Sequence, residues 1–285
     1  MDLRESLLKW IQQQGYPLEL RVGGIFRDLG YRVAHSQWYT DPETSKTRES
    51  DVVASLFPKQ GVSPLGEDLG LAITFVVECK TSPDKPWVVF SSPQSSIPPL
   101  QLRSAAVDGL SRALLYAASI HKIDIPQALQ AWRVLGQSLT RAHAKNDPAD
   151  PTTPYAGLRA VVTASMALAR EAAESTFSLG AEMPRMTLFV PLLVVDAPLF
   201  MYQIEDGSER LTSVDSAAVA MPGRWRDDFV AVRVVRKEAF AAFADLATQE
   251  LGRFLVDMRP VVGGVVGSFC ERASGQGIDG ALGAA

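Results

Sequence analysis

Apolar residues recur every three or four positions at the start of the chain, then give way to unbroken or alternating runs. Leu3, Leu7, Leu8 and Ile11 fall on one helical face, and Asp2 with Glu5 is spaced as a capping box. Gly15-Tyr16-Pro17 interrupts that face. Pro17 suits the first turn of a second helix carrying Leu18, Val22, Ile25, Phe26 and Leu29, which Gly30 ends. Tyr31 to Tyr39 is aromatic and β-branched, and reads as a strand. Two more strands are predicted over 47–57 and 70–80, with a Gly/Pro loop between them. A short strand is predicted over 86–90, at a sheet edge where Pro86 is tolerated.

Helical spacing returns over 103–121 and 126–139, which predicts a helical insertion at about 100–150. The polar, proline-containing stretch 142–154 then connects to a helix over 155–176. Strands are predicted over 186–195, 199–204 and 229–235. The first is almost wholly apolar, as a central strand covered on both faces must be. A helix follows over 237–256, and the Gly/Ala-rich stretch 259–285 is predicted to be a flexible tail. The pattern predicts a single α/β domain over 1–258, with a mixed central sheet flanked by helices and no internal repeat.

Composition narrows the classes. Of 285 residues, 47% are hydrophobic and 21% charged, which excludes a disordered chain. No window holds eighteen uncharged apolar residues, and the start has no basic, apolar and cleavable order of a signal peptide. The expectation is a cytoplasmic protein with no membrane partner. Cys79 and Cys270 give no disulfide framework, and His35, His121 and His143 lie too far apart for zinc spacing. A net charge of −4 gives no global attraction to nucleic acid, so such a partner needs a local basic surface or a second protein.

One stretch carries chemistry. Leu71 to Lys80 is an apolar run that closes on Glu78-Cys79-Lys80, and strand alternation puts Glu78 and Lys80 on one face. The preceding strand carries Asp51, and the second helix carries Glu19 in its first turn. An acid on one strand and Glu-x-Lys on the next can hold a divalent metal beside a lysine, a set that can supply the charge neutralisation and activated water of phosphodiester hydrolysis. The plainer readings are a solvated charge pair at a strand end and a first-turn glutamate favoured by the helix dipole. Glu49 reads as a partner of Arg48 or Lys46. Trp87 reads as cover for a sheet edge, in preference to a base-stacking role beside Lys46 and Lys85. Arg224-Trp-Arg226 is followed at once by Asp227 and Asp228 and reads as a solvated turn. No nucleophile elbow, phosphate-binding loop or dinucleotide fingerprint is present, and Gly263 to Ser268 resembles a glycine loop only superficially.

The order helix with Glu19, strand, strand with Asp51, strand with Glu78-x-Lys80, helices, strand resembles the PD-(D/E)XK, or restriction-endonuclease-like, nuclease superfamily. By motif the resemblance covers residues 15–90, and by element order alone it extends over 155–205. It implies an α-β-β-β-α-β core, with Asp51 and Glu78 as the two acids, Lys80 as the lysine and Glu19 as the acid of the first core helix. Ser50 stands where the motif has proline. The 26 residues between Asp51 and Glu78 suit adjacent strands with a long loop. The resemblance further implies Mg²⁺ or Mn²⁺ held by Asp51, Glu78 and the Cys79 carbonyl, DNA as partner, and 5′-phosphate products. It leaves room for a homodimer. The alternative function is a non-catalytic nuclease-like module for binding nucleic acid or protein.

Overall fold

A computed structural model describes residues 2–12, 15–57, 71–82, 84–91, 109–129, 135–136, 138–142, 153–178, 186–222 and 229–276. Gly15 precedes helix α2 (Tyr16–Asp28), which follows helix α1 (Leu3–Gln12). Leu18, Val22 and Phe26 of α2 are buried, whereas Leu3, Leu7, Leu8 and Ile11 of α1 are all exposed. The capping spacing of α1 leaves only a backbone bond, from the Ser6 N–H to the Asp2 carbonyl. Gly30, at φ 88°, turns the chain out of α2 in a conformation a side chain would disfavour.

Strands β1 (Arg32–Thr40), β2 (Thr47–Leu56) and β3 (Leu71–Thr81) form an antiparallel meander. Beside β3 lies β7 (Met186–Asp196), parallel to it from Leu71↔Met186 to Thr81↔Asp196. Helix α4 (Pro154–Ser178) precedes β7 and packs against both strands. Strand β11 (Phe229–Arg236) runs parallel to β7, and β10 (Ser216–Pro222) is antiparallel to β11. With β5 (Leu135–Gly136) the sheet has seven strands in the order β1-β2-β3-β7-β11-β10-β5. A second, four-stranded sheet has the order β6-β4-β8-β9. It is built from β4 (Trp87–Ser91), β6 (Ser138–Arg141), β8 (Leu199–Glu205) and β9 (Ser208–Ser213). The fold is therefore mixed α/β, with two mixed sheets and, among the described residues, five helices.

Each face of the large sheet has its own core. On one face, helices α2, α3 (Gly109–Ile120) and α5 (Phe240–Gln276) meet alternate residues Ile73, Phe75 and Val77 of β3. Phe26 lies there against Tyr31, Phe75 and Phe240, at centroid separations of 4.8, 5.3 and 5.3 Å. On the other face, α4 and the inner side of the second sheet meet Val76, Leu193 and Val195.

Three expectations need correction. Where residues 126–139 are described they form no α-helix: a 3₁₀ turn lies at Gln127–Leu129, and β5 and β6 follow, with 130–134 and 137 outside the described residues. Gly136, Ser138 and Thr140 are poor helix formers, and Gly136 seats β5 where any side chain would overlap Val89. Second, the predicted 259–285 tail is helical up to Gln276, and its first turn is packed, with Val261 and Val262 buried so that they extend the apolar stripe of α5. Pro260 is accommodated inside that helix, next to the exposed Val256 whose carbonyl it leaves without a helical donor. Third, the strand that carries Trp87 is not at a sheet edge. Trp87 is fully buried on an inner strand of the second sheet and is out of reach of any base. Arg224-Trp-Arg226 and His143 lie outside the described residues.

Candidate functional site

The site forms where β2 parts from β3. Their ladder runs from Leu56↔Ile73 to Val52↔Val77 and stops, while β2 stays paired with β1 as far as Thr40↔Thr47. Beyond Val52 the gap is bridged by side chains. The Cys79 N–H donates to Asp51 Oδ2 at 2.7 Å, and the Ser50 hydroxyl lies 3.5 Å from the Val77 carbonyl oxygen. A backbone donor that sheet pairing would have used is thus held by a carboxylate. The N–H and C=O of a strand residue point to the same edge, so the Cys79 carbonyl also faces the opening. The Cys79 thiol points into the opposite core, and burial pushes it well above the usual thiol range.

Glu78 and Lys80 lie on the α4 face of β3, as alternation predicts. Lys80 Nζ is 2.6 Å from Glu78 Oε1. Glu78 is only 7% exposed. Burial, then Asp51, pushes its carboxyl up to about 7, and Lys80 only partly offsets this. Asp51 is likewise raised, chiefly by burial, although the Cys79 N–H and Lys80 act the other way. At Lys80 burial disfavours the ammonium, yet the Glu78 and Asp51 carboxylates outweigh it and the pKa rises. The site therefore holds a charged lysine among carboxylates short of compensating charge.

Glu19 lies on the first turn of α2 and is half-buried. Burial, then Asp51 and Glu49, pushes its carboxyl up to about 7, so it shares the electrostatic field of the strand acids. Among the described residues, no group of three or more His, Cys, Asp or Glu side chains is close enough to hold a metal ion. The donor set is instead two carboxylates, a carbonyl facing the same opening and an outer glutamate. Mg²⁺ takes oxygen donors and keeps several waters, so that chemistry fits with only two side-chain ligands.

The chain matches no protein-family model, no curated protein and no solved structure. The reading of the site therefore rests on its own geometry. Among the described residues, no helix is long and apolar enough to cross a membrane.

Tyr39 is a member of this neighbourhood that sequence patterning did not single out. It is 3% exposed and lies in the α4-side core, although His35, four residues earlier, packs on Gly23 of α2. Alternation would have kept the two on one face. The change of face follows Ser36, whose φ of 53° is left-handed and which faces the Asp51 position between the pairs His35↔Val52 and Gln37↔Ser50. Burial, then Glu78, raises the Tyr39 phenol to about 12.

Two outer arginines are paired. Arg48 binds Asp41 at 2.6 Å and so does not pair with Glu49, and Asp41 also accepts the Glu43 and Thr44 N–H groups of its turn. Arg159 of α4 binds Glu43 at 2.6 Å. Lys46 and Lys85 are exposed.

Proposed function

We propose that this protein is a divalent-metal-dependent phosphodiesterase that cuts DNA, built on a restriction-endonuclease-like core. The observation that carries the reading is the convergence of Asp51, Glu78 and Lys80 where β2 leaves β3. Further support comes from element order: α2, the antiparallel meander β1-β2-β3, then α4 leading into β7 parallel to β3. These elements follow the α-β-β-β-α-β order the resemblance calls for, with β4, α3, β5 and β6 standing between β3 and α4.

Asp51, Glu78 and the Cys79 carbonyl would hold Mg²⁺ or Mn²⁺, with Glu19 as an outer carboxylate. When bound, the metal supplies neutralisation of charge at the phosphoryl oxygens. Lys80 is held protonated by its carboxylate neighbours, so its suited role is donor and cation. It would orient the attacking water and stabilise negative charge at the phosphate. The buried carboxylates bind and hold in place, and a bound cation favours their ionised form by offsetting the cost of their burial.

A second reading, a non-catalytic module that binds nucleic acid or protein, is favoured by one observation. The arginines near the opening are engaged by Asp41 and Glu43. A cleavage screen decides between the two, over supercoiled, linear, single-stranded and branched DNA and RNA with Mg²⁺ or Mn²⁺. The nuclease reading expects metal-dependent cutting that falls at least ~100-fold in Lys80→Ala and in Asp51→Ala. Activity that survives both substitutions would remove the site assignment. No cutting and no metal binding would leave the module.

A further inference from the structure

Helix α4 carries a glycine in its first turn, at a place where the rest of the helix favours alanine. Gly157 is followed by Ala160, Ala164, Ala167 and Ala169 on the same helix, and glycine is the poorer helix former at every such position. Its surroundings account for the choice. A Cβ at residue 157 would lie 3.3 Å from Lys80 Cγ, 3.4 Å from Lys80 Cε and 3.2 Å from Leu193 Cδ1. Two of these three neighbours are the stem of the site lysine, and Leu193 is the β7 residue paired with Glu78. The bare face of α4 therefore lies along the aliphatic part of Lys80, while the ammonium is 2.6 Å from Glu78. The helix start is fixed independently, by the Thr153 side chain accepting the Ala156 N–H at 3.2 Å and the Thr153 carbonyl accepting the Gly157 N–H at 3.2 Å.

We propose that Gly157 is a positioning residue, whose missing side chain lets α4 clamp the Lys80 stem and so fixes where the ammonium sits in the site. The proposal rests on the nuclease reading for its catalytic consequence and on packing alone for its structural one. A methyl group at 157 forces Lys80 to give by a few tenths of an ångström, and a branched side chain forces it aside. Misplacement of a reacting group by about 1 Å is enough to cost about a hundredfold in rate.

The test compares wild type, Gly157→Ala, Gly157→Val, Lys80→Ala and the Gly157→Val/Lys80→Ala pair, all as the full chain. Two readouts are taken: Mg²⁺-dependent DNA cleavage, and the ¹⁵N–¹H signal of the Lys80 ammonium, assigned by its loss in Lys80→Ala. Gly157→Ala is expected to keep or raise the melting temperature, because alanine is the better helix former, while kcat falls several-fold at unchanged KM. Gly157→Val is expected to shift or broaden the Lys80 signal, to lower kcat about a hundredfold, and to add nothing in the Lys80→Ala background. A merely structural glycine would instead lower melting temperature and activity together in Gly157→Ala. An unmoved Lys80 signal in folded variants, or additive losses in the double variant, would overturn the proposal. If wild type cuts no substrate, the nuclease reading fails, and the Lys80 signal still decides whether Gly157 positions the lysine.

Discussion

Glu78 is the residue on which the electrostatics of the site turn. Its carboxyl takes up a proton near pH 7 in the folded chain, against 4.5 for the same group in the open. Between those values the folded state holds a proton that the unfolded state has lost, so stability falls as pH rises through this window. Ionised Glu78 therefore costs the fold stability above neutrality. Half-buried Glu19 adds a smaller amount of the same sign. Urea midpoints at pH 5, 6, 7 and 8 should therefore decline, and Glu78→Gln should flatten that slope. Added Mg²⁺ should restore stability more at pH 8 than at pH 6, because the metal needs the ionised carboxylates. A wild-type midpoint that rises over this range would contradict the burial of Glu78.

The strands differ sharply in how legible they are from sequence. β3 and β7 are long apolar runs, and alternation on β3 is enough to put Glu78 and Lys80 together on one face. Asp51 follows from the same rule applied to β2. Tyr39 escapes it, because its face depends on the left-handed turn at Ser36, which nothing in an aromatic, β-branched run announces. β5 and β6 escape for another reason: they have two and four residues, and their partners are Ala218 with Val219 and β4, far along the chain. Their leucines, at 135 and 139, sit at a helical interval that long-range pairing overrides. β10, Ser-Ala-Ala-Val-Ala-Met-Pro, is rich in a helix former and is extended through its pairing with β11. The Ser36 turn gives a test at this scale. Ser36→Gly should leave stability equal or up to about 1 kcal/mol higher, whereas Ser36→Val should lose about 1–2 kcal/mol. If Ser36→Val proves neutral by denaturant unfolding, the left-handed conformation of β1 is wrong.

For the whole molecule, the balance of charge sets how DNA would be held. The chain carries −4 overall, and Arg48 and Arg159 must release Asp41 and Glu43 before they can meet a phosphate. Binding should therefore neutralise few phosphates. Asp51→Asn protein, titrated with labelled duplex between about 50 and 200 mM salt, should give a log–log slope shallower than about −3. A slope of about −6 or steeper would mean that many more phosphates are neutralised than this charge balance allows. The four-stranded sheet carries a different consequence. Every residue of β9 is exposed and β9 stands last in its sheet, so among the described residues one row of its backbone groups has no strand beside it. Next to it the tilted rings of Phe90 and Tyr202 lie 5.6 Å apart, and Leu211 continues the row Phe90↔Tyr202↔Leu211 across the outer face. An open edge beside an apolar row is a template on which other chains can add strands. Glu209 and Arg210, adjacent on β9, place a charge on each face of that edge. A price in lost solubility would follow their replacement by valine, long before the fold itself felt the change.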